Sequence, residues 1–228
     1  MKVLIYGRKQ NEAEPLAKKI GFDLVRQNPD FVLSYGGDGT LMKAEHSFPG
    51  VPKVILRGGS VGKKASYLSN EQVLALFKKG DYKIKEFLKL SVTAKNKEMT
   101  ALNDVTVHNQ DPRHAIRYRI WTDDNPIEHE IIGDGIVVAT PFGSTGYYRS
   151  ITGSFFDLGL GLAFNNSTEP VDHMILAESG EIKIRITRGP AAVYADNQEE
   201  YILLNDGEET IVKKSAGKAK ILVFEQGP

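Results

Sequence analysis

The order of apolar and polar positions changes character about a third of the way along the chain. Up to Gly80, short apolar runs alternate with amphipathic stretches. Lys2–Tyr6, Phe22–Val25, Phe31–Tyr35 and Lys53–Arg57 have the length and density of buried strands. Glu12–Ile20 and Thr40–His46 have helical spacing, and Gly21 stops the first of them. Ser69 stands three residues before Gln72, the spacing of a capping box. The helix it opens carries Val73, Leu74, Leu76 and Phe77, and Lys78-Lys79-Gly80 ends it. Strands alternating with helices predict a mostly parallel sheet covered on both faces.

Beyond about residue 85 the period becomes two. Leu88, Leu90, Val92 and Ala94 alternate with polar residues, as do Leu102, Val105 and Val107, with a slip at Asn103-Asp104. The run containing Tyr118 and Ile120 reaches Thr122, and the turn cluster Asp123-Asp124-Asn125-Pro126 leads back into Ile127–Ile132. Further strands are expected at Ile182–Thr187, Ala192–Ala195, Tyr201–Leu204, Thr210–Lys213 and Lys220–Phe224, with a turn at Asn205-Asp206-Gly207. The Gly- and Asn-rich stretch Gly159–Thr168 reads as an irregular loop. The expected fold is therefore an α/β domain over residues 1–87, followed by a mainly antiparallel β domain over residues 88–228.

Composition narrows the function classes. Lys plus Arg and Asp plus Glu number 29 each, so nothing favours a nucleic-acid or anionic-membrane partner. The absence of cysteine excludes disulfides and thiolate metal sites, and fits a reducing compartment. The apolar start, Met1–Gly7, is too short for a signal-peptide core and reads as the first strand. No window has the apolar length of a membrane span, so a cytoplasmic protein is expected.

Four segments carry candidate chemistry. Gly36-Gly37-Asp38-Gly39-Thr40 follows an apolar strand and opens a helix, which is how backbone N–H groups are brought to phosphate. Asp38 lies within that cradle, where a carboxylate suits a metal ion or a reacting hydroxyl; the alternative is a tight turn whose acid caps the helix. Asp134-Gly135 leads into Thr140-Pro141-Phe142-Gly143-Ser144-Thr145-Gly146-Tyr147, whose small and hydroxyl residues suit ribose or phosphate. Tyr147 offers a flat face for a base, although a polar hairpin loop has similar composition. Asn103-Asp104 supplies donors and acceptors for a sugar or an adenine edge, or else marks a bulge. Lys63 and Lys64, after the second glycine loop Gly58–Gly62, either screen phosphates or lie free on the surface. There is no P-loop, the second glycine loop lacks the dinucleotide fingerprint, and no histidine pair has metal-ligand spacing.

Taken in order, Gly36–Thr40, Asn103-Asp104 and Asp134–Tyr147 make the chain resemble the NAD kinases, and Asp196-Asn197-Gln198 is similar to a late element of that family. The first turn alone is shared with lipid kinases. The resemblance implies phosphorylation of the adenosine 2′-hydroxyl of NAD, with ATP or polyphosphate as donor and Mg²⁺ or another divalent metal. It implies Asp38 as catalytic proton acceptor and Gly36, Gly37, Gly39 and Thr40 around phosphate. NAD contacts are implied for Asp38, Gly39, Asn103, Asp104, His114, Asp134, Thr145, Gly146, Tyr147, Tyr148, Arg149, Ser150 and Gln198. It further implies a Rossmann-like N-terminal domain and a β-rich C-terminal domain with the site between them, in a homodimer or homotetramer, with NAD and the phosphate donor as partners. A diacylglycerol-kinase-like lipid kinase and a non-catalytic NAD sensor are the alternatives. The chain departs from the family at Gly62–Leu68, Ser150–Ser154, Phe142, Gly146 and Ile132.

Overall fold

The computed structural model describes residues 1–59, 64, 66–127, 129–168 and 172–224. The chain divides into two compact units, Met1–Phe87 with Gly217–Pro228, and Leu88–Ala216.

In the first unit, β1 (Lys2–Tyr6), β2 (Asp23–Leu24), β3 (Phe31–Gly36) and β4 (Lys53–Arg57) form a parallel sheet in the order β2-β1-β3-β4. Helices α1 (Gln10–Ile20), α2 (Asp38–Ser47) and α3 (Asn70–Lys79) connect them or follow. Gly21 ends α1 at φ 80°, and Gly80 ends α3 at φ 78°, both left-handed as the glycine stops predict. Ser69 and Gln72 close both halves of the capping box.

One face of the sheet packs Val3, Ile5, Leu33, Val54 and Leu56 against Val73, Leu74 and Phe77. Phe77 stacks on Phe22 at 5.1 Å and meets Phe31 edge-on at 5.0 Å. The other face buries Leu4 and Val32 under Ala44 of α2. Lys53 is wholly buried against the carboxylate of Glu45 and the carbonyl of Phe48, tying α2 to β4.

The strand order has a functional consequence. The chain runs from β1 outward to β2, then returns to β3 and runs the other way to β4. The reversal therefore lies between β1 and β3, the place where open α/β sheets bind ligands at their carboxyl ends. Gly7 and Gly36 stand at those two ends. A Cβ on Gly7 (φ 155°) would lie 2.2 Å from the Tyr35 carbonyl oxygen, so only glycine permits the approach.

The second unit begins within β5 (Lys83–Ala94) and continues through β6 (Lys97–Ala101), β7 (Asp104–Asn109), β8 (Ile116–Thr122), β9 (Asn125–Pro126), β10 (Ile131–Gly133) and β11 (Gly135–Ala139). After the short α4 (Tyr147–Thr152) come β12 (Leu160–Asn165), β13 (His173–Leu176), β14 (Glu181–Arg188), β15 (Ala191–Ala195), β16 (Ile202–Leu204) and β17 (Glu209–Val223). One antiparallel sheet runs β13-β12-β11-β7-β15-β16. Within this unit β10, β8, β14 and β17 form a second, also antiparallel, that includes β5 and β6. Lys95 and Asn96, both at positive φ, close the β5–β6 hairpin, and Asp123 and Asp124 do the same between β8 and β9. Val105, Val107, Ile136, Val138, Leu162, Ile182 and Ile184 share the core of the unit.

Several sequence expectations need correction. Gly159–Thr168 is not an irregular loop: Leu160–Asn165 is a buried strand paired with β11. Its glycine is there for space, since a Cβ on Gly161 would come within 2.3 Å of the Phe156 ring. The segment expected as a strand over Ile127–Ile132 forms one only at Ile131–Gly133, and Glu128 lies outside the described residues. The two strands expected after Asn205 are one, Glu209–Val223. Residues from Gly217 onward join the first unit instead of the second, where Ile221 pairs in parallel with Lys53. Helix α4 was not foreseen.

Candidate functional site

In the first unit the strand β3 ends at Gly36, and Gly37 (φ −97°, ψ −170°) leads directly into α2. Asp38 is the first residue of that helix and is half-buried. Its Oδ1 accepts the backbone N–H of Lys64 at 3.2 Å. A Cβ on Gly36 would sit 2.2 Å from the Thr40 hydroxyl oxygen, and one on Gly58 would sit 2.9 Å from the Gly36 Cα. The turn is therefore held open by missing side chains, leaving a backbone surface with one carboxylate. Gly39 is half-buried beside Asp38. Lys63, one of the two lysines proposed to screen phosphate, lies outside the described residues.

In the second unit the pairing of β7, β11 and β12 gathers side chains. Asp104, Thr106 and His108 alternate along β7 with Val105 and Val107, which face the core. Gly135 pairs with His108 on one side and Asn165 on the other. Across that glycine the Asn165 Nδ2 and His108 Nε2 approach to 3.2 Å, and the same Nδ2 donates to the Tyr147 hydroxyl at 3.0 Å. Asp134 accepts from Asn109 Nδ2 at 3.3 Å and from Asn166 Nδ2 at 3.0 Å. Burial, then the charges of Asp134 and Asp104, push the Tyr147 phenol up, so its ring stands within the field of both carboxylates. Tyr147 remains 37% exposed, which leaves its ring accessible for stacking.

Asp104 is a strongly perturbed acid of this cluster. Desolvation and the adjacent Asp196 push it up to about 7, against one hydrogen bond from Thr106. Burial also raises Asp196, opposed by three backbone N–H groups and by Lys89. Among the described residues, the Oδ1 of Asn103 is buried and has no protein partner. A buried amide oxygen without a donor is costly, and such an atom is the kind of group a ligand satisfies.

The remaining expected contacts fall in different settings. Gly146 precedes α4, Thr145 is half-buried, and the Ser150 hydroxyl donates to the Tyr147 carbonyl at 2.7 Å. Arg149 is exposed, with its guanidinium 5.8 Å from the Phe155 ring. Tyr148 is fully buried with Val137, Ala139 and Ala163, so its ring anchors α4 in the core. Gln198 donates from Nε2 to the Thr100 carbonyl at 2.7 Å. His114 is largely exposed and bonds Asp111 at 3.2 Å, while its carbonyl accepts from Asn109, the residue that also holds Asp134. Sequence reasoning missed His108, Asn109, Asn165 and Asn166 as parts of this region, and it named Thr140 and Asp196 only as members of their segments, without a role. The period-two alternation of β7 carried a signal for His108; the others depend on pairing between distant strands.

The ATP-NAD kinase C-terminal domain family matches residues 102–224. The NAD kinase of Saccharolobus solfataricus is 30% identical over 218 residues, covering 92% of this chain and 85% of that protein. That of Pyrococcus abyssi is 29% identical over 220 residues, covering 92% and 77%. Among solved structures, an NAD kinase from Archaeoglobus fulgidus in complex with ATP superposes with a TM-score of 0.81 at 22% identity, covering 99% of this chain and 94% of that one. Yeast NADH kinase complexed with NADH gives the same TM-score at 17% identity, covering 99% and 84%. These two likenesses establish the fold, and the family match over more than half of the chain, together with the archaeal relatives, establishes the lineage: this chain belongs to the NAD kinases, a family of phosphotransferases.

Proposed function

We propose that the enzyme transfers the terminal phosphoryl group of ATP, or of polyphosphate, to the adenosine 2′-hydroxyl of NAD, giving NADP. The observation that carries this reading is the place of Asp38: a half-buried acid opening α2, directly after the glycine turn at the reversal point of the sheet. The relative solved with ATP supports ATP as the donor here. The relative solved with NADH supports a nicotinamide dinucleotide as the acceptor.

Phosphoryl transfer has a loose transition state, so the protein contributes mainly positioning and charge neutralisation. Gly36, Gly37, Gly39 and Thr40 surround the donor phosphates at the start of α2, whose positive end favours them. Asn103, Asp104 and Asp134 take the adenosine and its ribose, and Tyr147 stacks on a base. Thr145, Gly146, Arg149, Ser150, His114 and Gln198 complete the dinucleotide contacts, while Tyr148 contributes only through the packing of α4. The 2′-oxygen forms its bond to the terminal phosphorus as the bond to the bridging oxygen breaks. Asp38 orients the hydroxyl and accepts its proton.

A divalent metal such as Mg²⁺ supplies charge neutralisation when bound with the donor. Among the described residues no group of three or more His, Asp or Glu could cage such an ion. The residues still fit Mg²⁺, which is usually held by substrate phosphates, water and one or two carboxylates, and Asp38 is the carboxylate at the glycine turn. A homodimer or homotetramer remains the assembly to test by light scattering. None of the described helices is long and apolar enough to cross a membrane.

Purified protein incubated with NAD, ATP and Mg²⁺ should form NADP, read through an NADP-specific dehydrogenase. Parallel reactions with NADH, polyphosphate or diacylglycerol decide acceptor and donor. Absence of NADP in every arm, with NAD binding retained, would convert the reading to that of a sensor.

A further inference from the structure

Leu102-Asn103 links β6 to β7, which lie in different sheets, so this break in strand structure carries the unpartnered Asn103 oxygen and leads into Asp104. Every backbone group there needs a partner from elsewhere. Two residues supply most of them. The Asp196 carboxylate accepts the N–H of Leu102 at 2.7 Å, of Asn103 at 2.7 Å and of Asp104 at 3.1 Å. The Asp196 N–H donates back to the Asp104 carbonyl at 2.9 Å. From the other side, Thr140 donates its N–H to the Asn103 carbonyl at 2.8 Å and its hydroxyl to the Leu102 carbonyl at 2.6 Å. The same hydroxyl accepts the Gly143 N–H at 3.0 Å. Gly143 presses so closely that a Cβ there would lie 2.1 Å from the Asn103 carbonyl oxygen.

Both clamping side chains have their polar atoms engaged in this work, and Thr140 is fully buried. Asp196 itself holds a left-handed φ of 51°, a conformation a non-glycine residue keeps only where its surroundings compensate. We propose that Asp196 and Thr140 are positioning residues for NAD: they fix the break so that Asn103 and Asp104 meet the nucleoside as one preorganised unit. This deepens the reading above and rests on Asn103 and Asp104 contacting NAD.

The test compares Thr140→Val, which keeps the shape and removes both hydroxyl bonds, with Thr140→Ser, which keeps them. Asp196→Asn is the companion variant, since an amide cannot accept from all three N–H groups without opposing one. Thermal melts identify the folded variants. Folded Thr140→Val and Asp196→Asn should raise the KM for NAD about tenfold or more, with a smaller fall in kcat and the KM for ATP within about twofold. Thr140→Ser should stay near the parent enzyme. A folded Thr140→Val with an unchanged KM for NAD overturns the proposal.

Amide hydrogen exchange on the unmodified enzyme provides a second measurement that needs no variant to fold. Leu102, Asn103 and Asp104 should be protected together. Rapid exchange at these three amides also overturns the clamp. Asn103→Ala separates the two layers of the argument: if it binds NAD normally while the three amides are protected, the assignment of Asn103 as a contact fails, not the clamp.

Discussion

The two units build their candidate surfaces from opposite materials. The first uses backbone: Gly36, Gly37 and Gly39 remove side chains at the end of β3, and a single carboxylate, Asp38, is added. The second uses side chains: Asp104, Asp134, Tyr147, His108 and Asn165 come from β7, β12, the link between β10 and β11, and the start of α4. Backbone N–H groups and a helix start suit phosphate, which is alike in every donor. Side-chain donors and acceptors suit a nucleoside, whose edges must be told apart. The comparison teaches that glycine serves two purposes here. Gly36 is small so that the Thr40 side chain can fold against the turn, whereas Gly135 and Gly143 are small so that the backbones of neighbouring segments can close together.

The sharpest way to break this comparison is Asp38→Asn. Turnover should fall by about 10²–10⁴-fold, since a positioned proton acceptor contributes on that scale, while the KM for NAD stays within about twofold. A large rise in that KM would show that the division of labour is wrong.

Next in size is Lys53→Met, which removes the cation that faces the buried Glu45 carboxylate of α2. Denaturant unfolding should show a loss of about 3–5 kcal/mol, and the double variant Lys53→Met/Glu45→Leu should recover most of it. Failure to recover would mean that the pair specifies the position of α2 beyond its charge balance.

Glycine replacements sharpen the comparison further. Gly143→Ala drives a Cβ into the Asn103 backbone, which cannot move aside, and should raise the KM for NAD about tenfold or more. Gly36→Ala meets the Thr40 Cβ at 2.8 Å as well as its hydroxyl, so the start of α2 must shift and a rise of about tenfold is expected, confined to the donor KM. Equal effects of both variants on both substrates would dissolve the distinction between the units.

The smallest effect concerns pH. Asp104 has its folded pKa raised to about 7 by burial and Asp196, so the folded state binds more protons than the unfolded chain between the ordinary carboxylate range and pH 7. Stability contributed by this group is therefore present at low pH and lost as pH rises toward 7. Asp104→Asn removes that loss: its melting temperature should exceed that of the parent at pH 8 by a few degrees, about 1–2 kcal/mol, and the gain should vanish near pH 4. The same variant should bind NAD less well, the usual exchange of stability for a functional site. A gain of equal size at both pH values would remove the electrostatic explanation.

How much was legible beforehand follows from the range of each interaction. The Gly36–Thr40 turn, the Ser69 capping box and the Gly21 and Gly80 stops involve residues a few positions apart, and each stands where the pattern put it. Leu160–Asn165 was misread because Gly and Asn outweighed the Leu-x-Leu-x-Phe alternation, and the reason for Gly161 is a ring, Phe156, that only packing reveals. Glu209–Val223 was read as two strands because Ser215-Ala216-Gly217 interrupts the apolar pattern, yet the ladder runs through. Asp196 was read only as part of the Asp196-Asn197-Gln198 element, and its role stayed hidden because its partners Leu102, Asn103 and Asp104 are 94, 93 and 92 residues away in sequence.

The sequence by itself determined the local chemistry: glycines where a turn must open, an acid after them, and a change of period from helical to alternating that separates an α/β from a β region. Such features depend on backbone freedom and on spacing within a few residues, which a linear string records. Only the tertiary structure decided that Gly217 onward returns to the first unit, that Asn165 and His108 meet across Gly135, and that one carboxylate grips three consecutive amides. Those are outcomes of strand pairing between distant segments, where the energy comes from completing ladders and burying both faces of a sheet, and no window along the chain contains both partners.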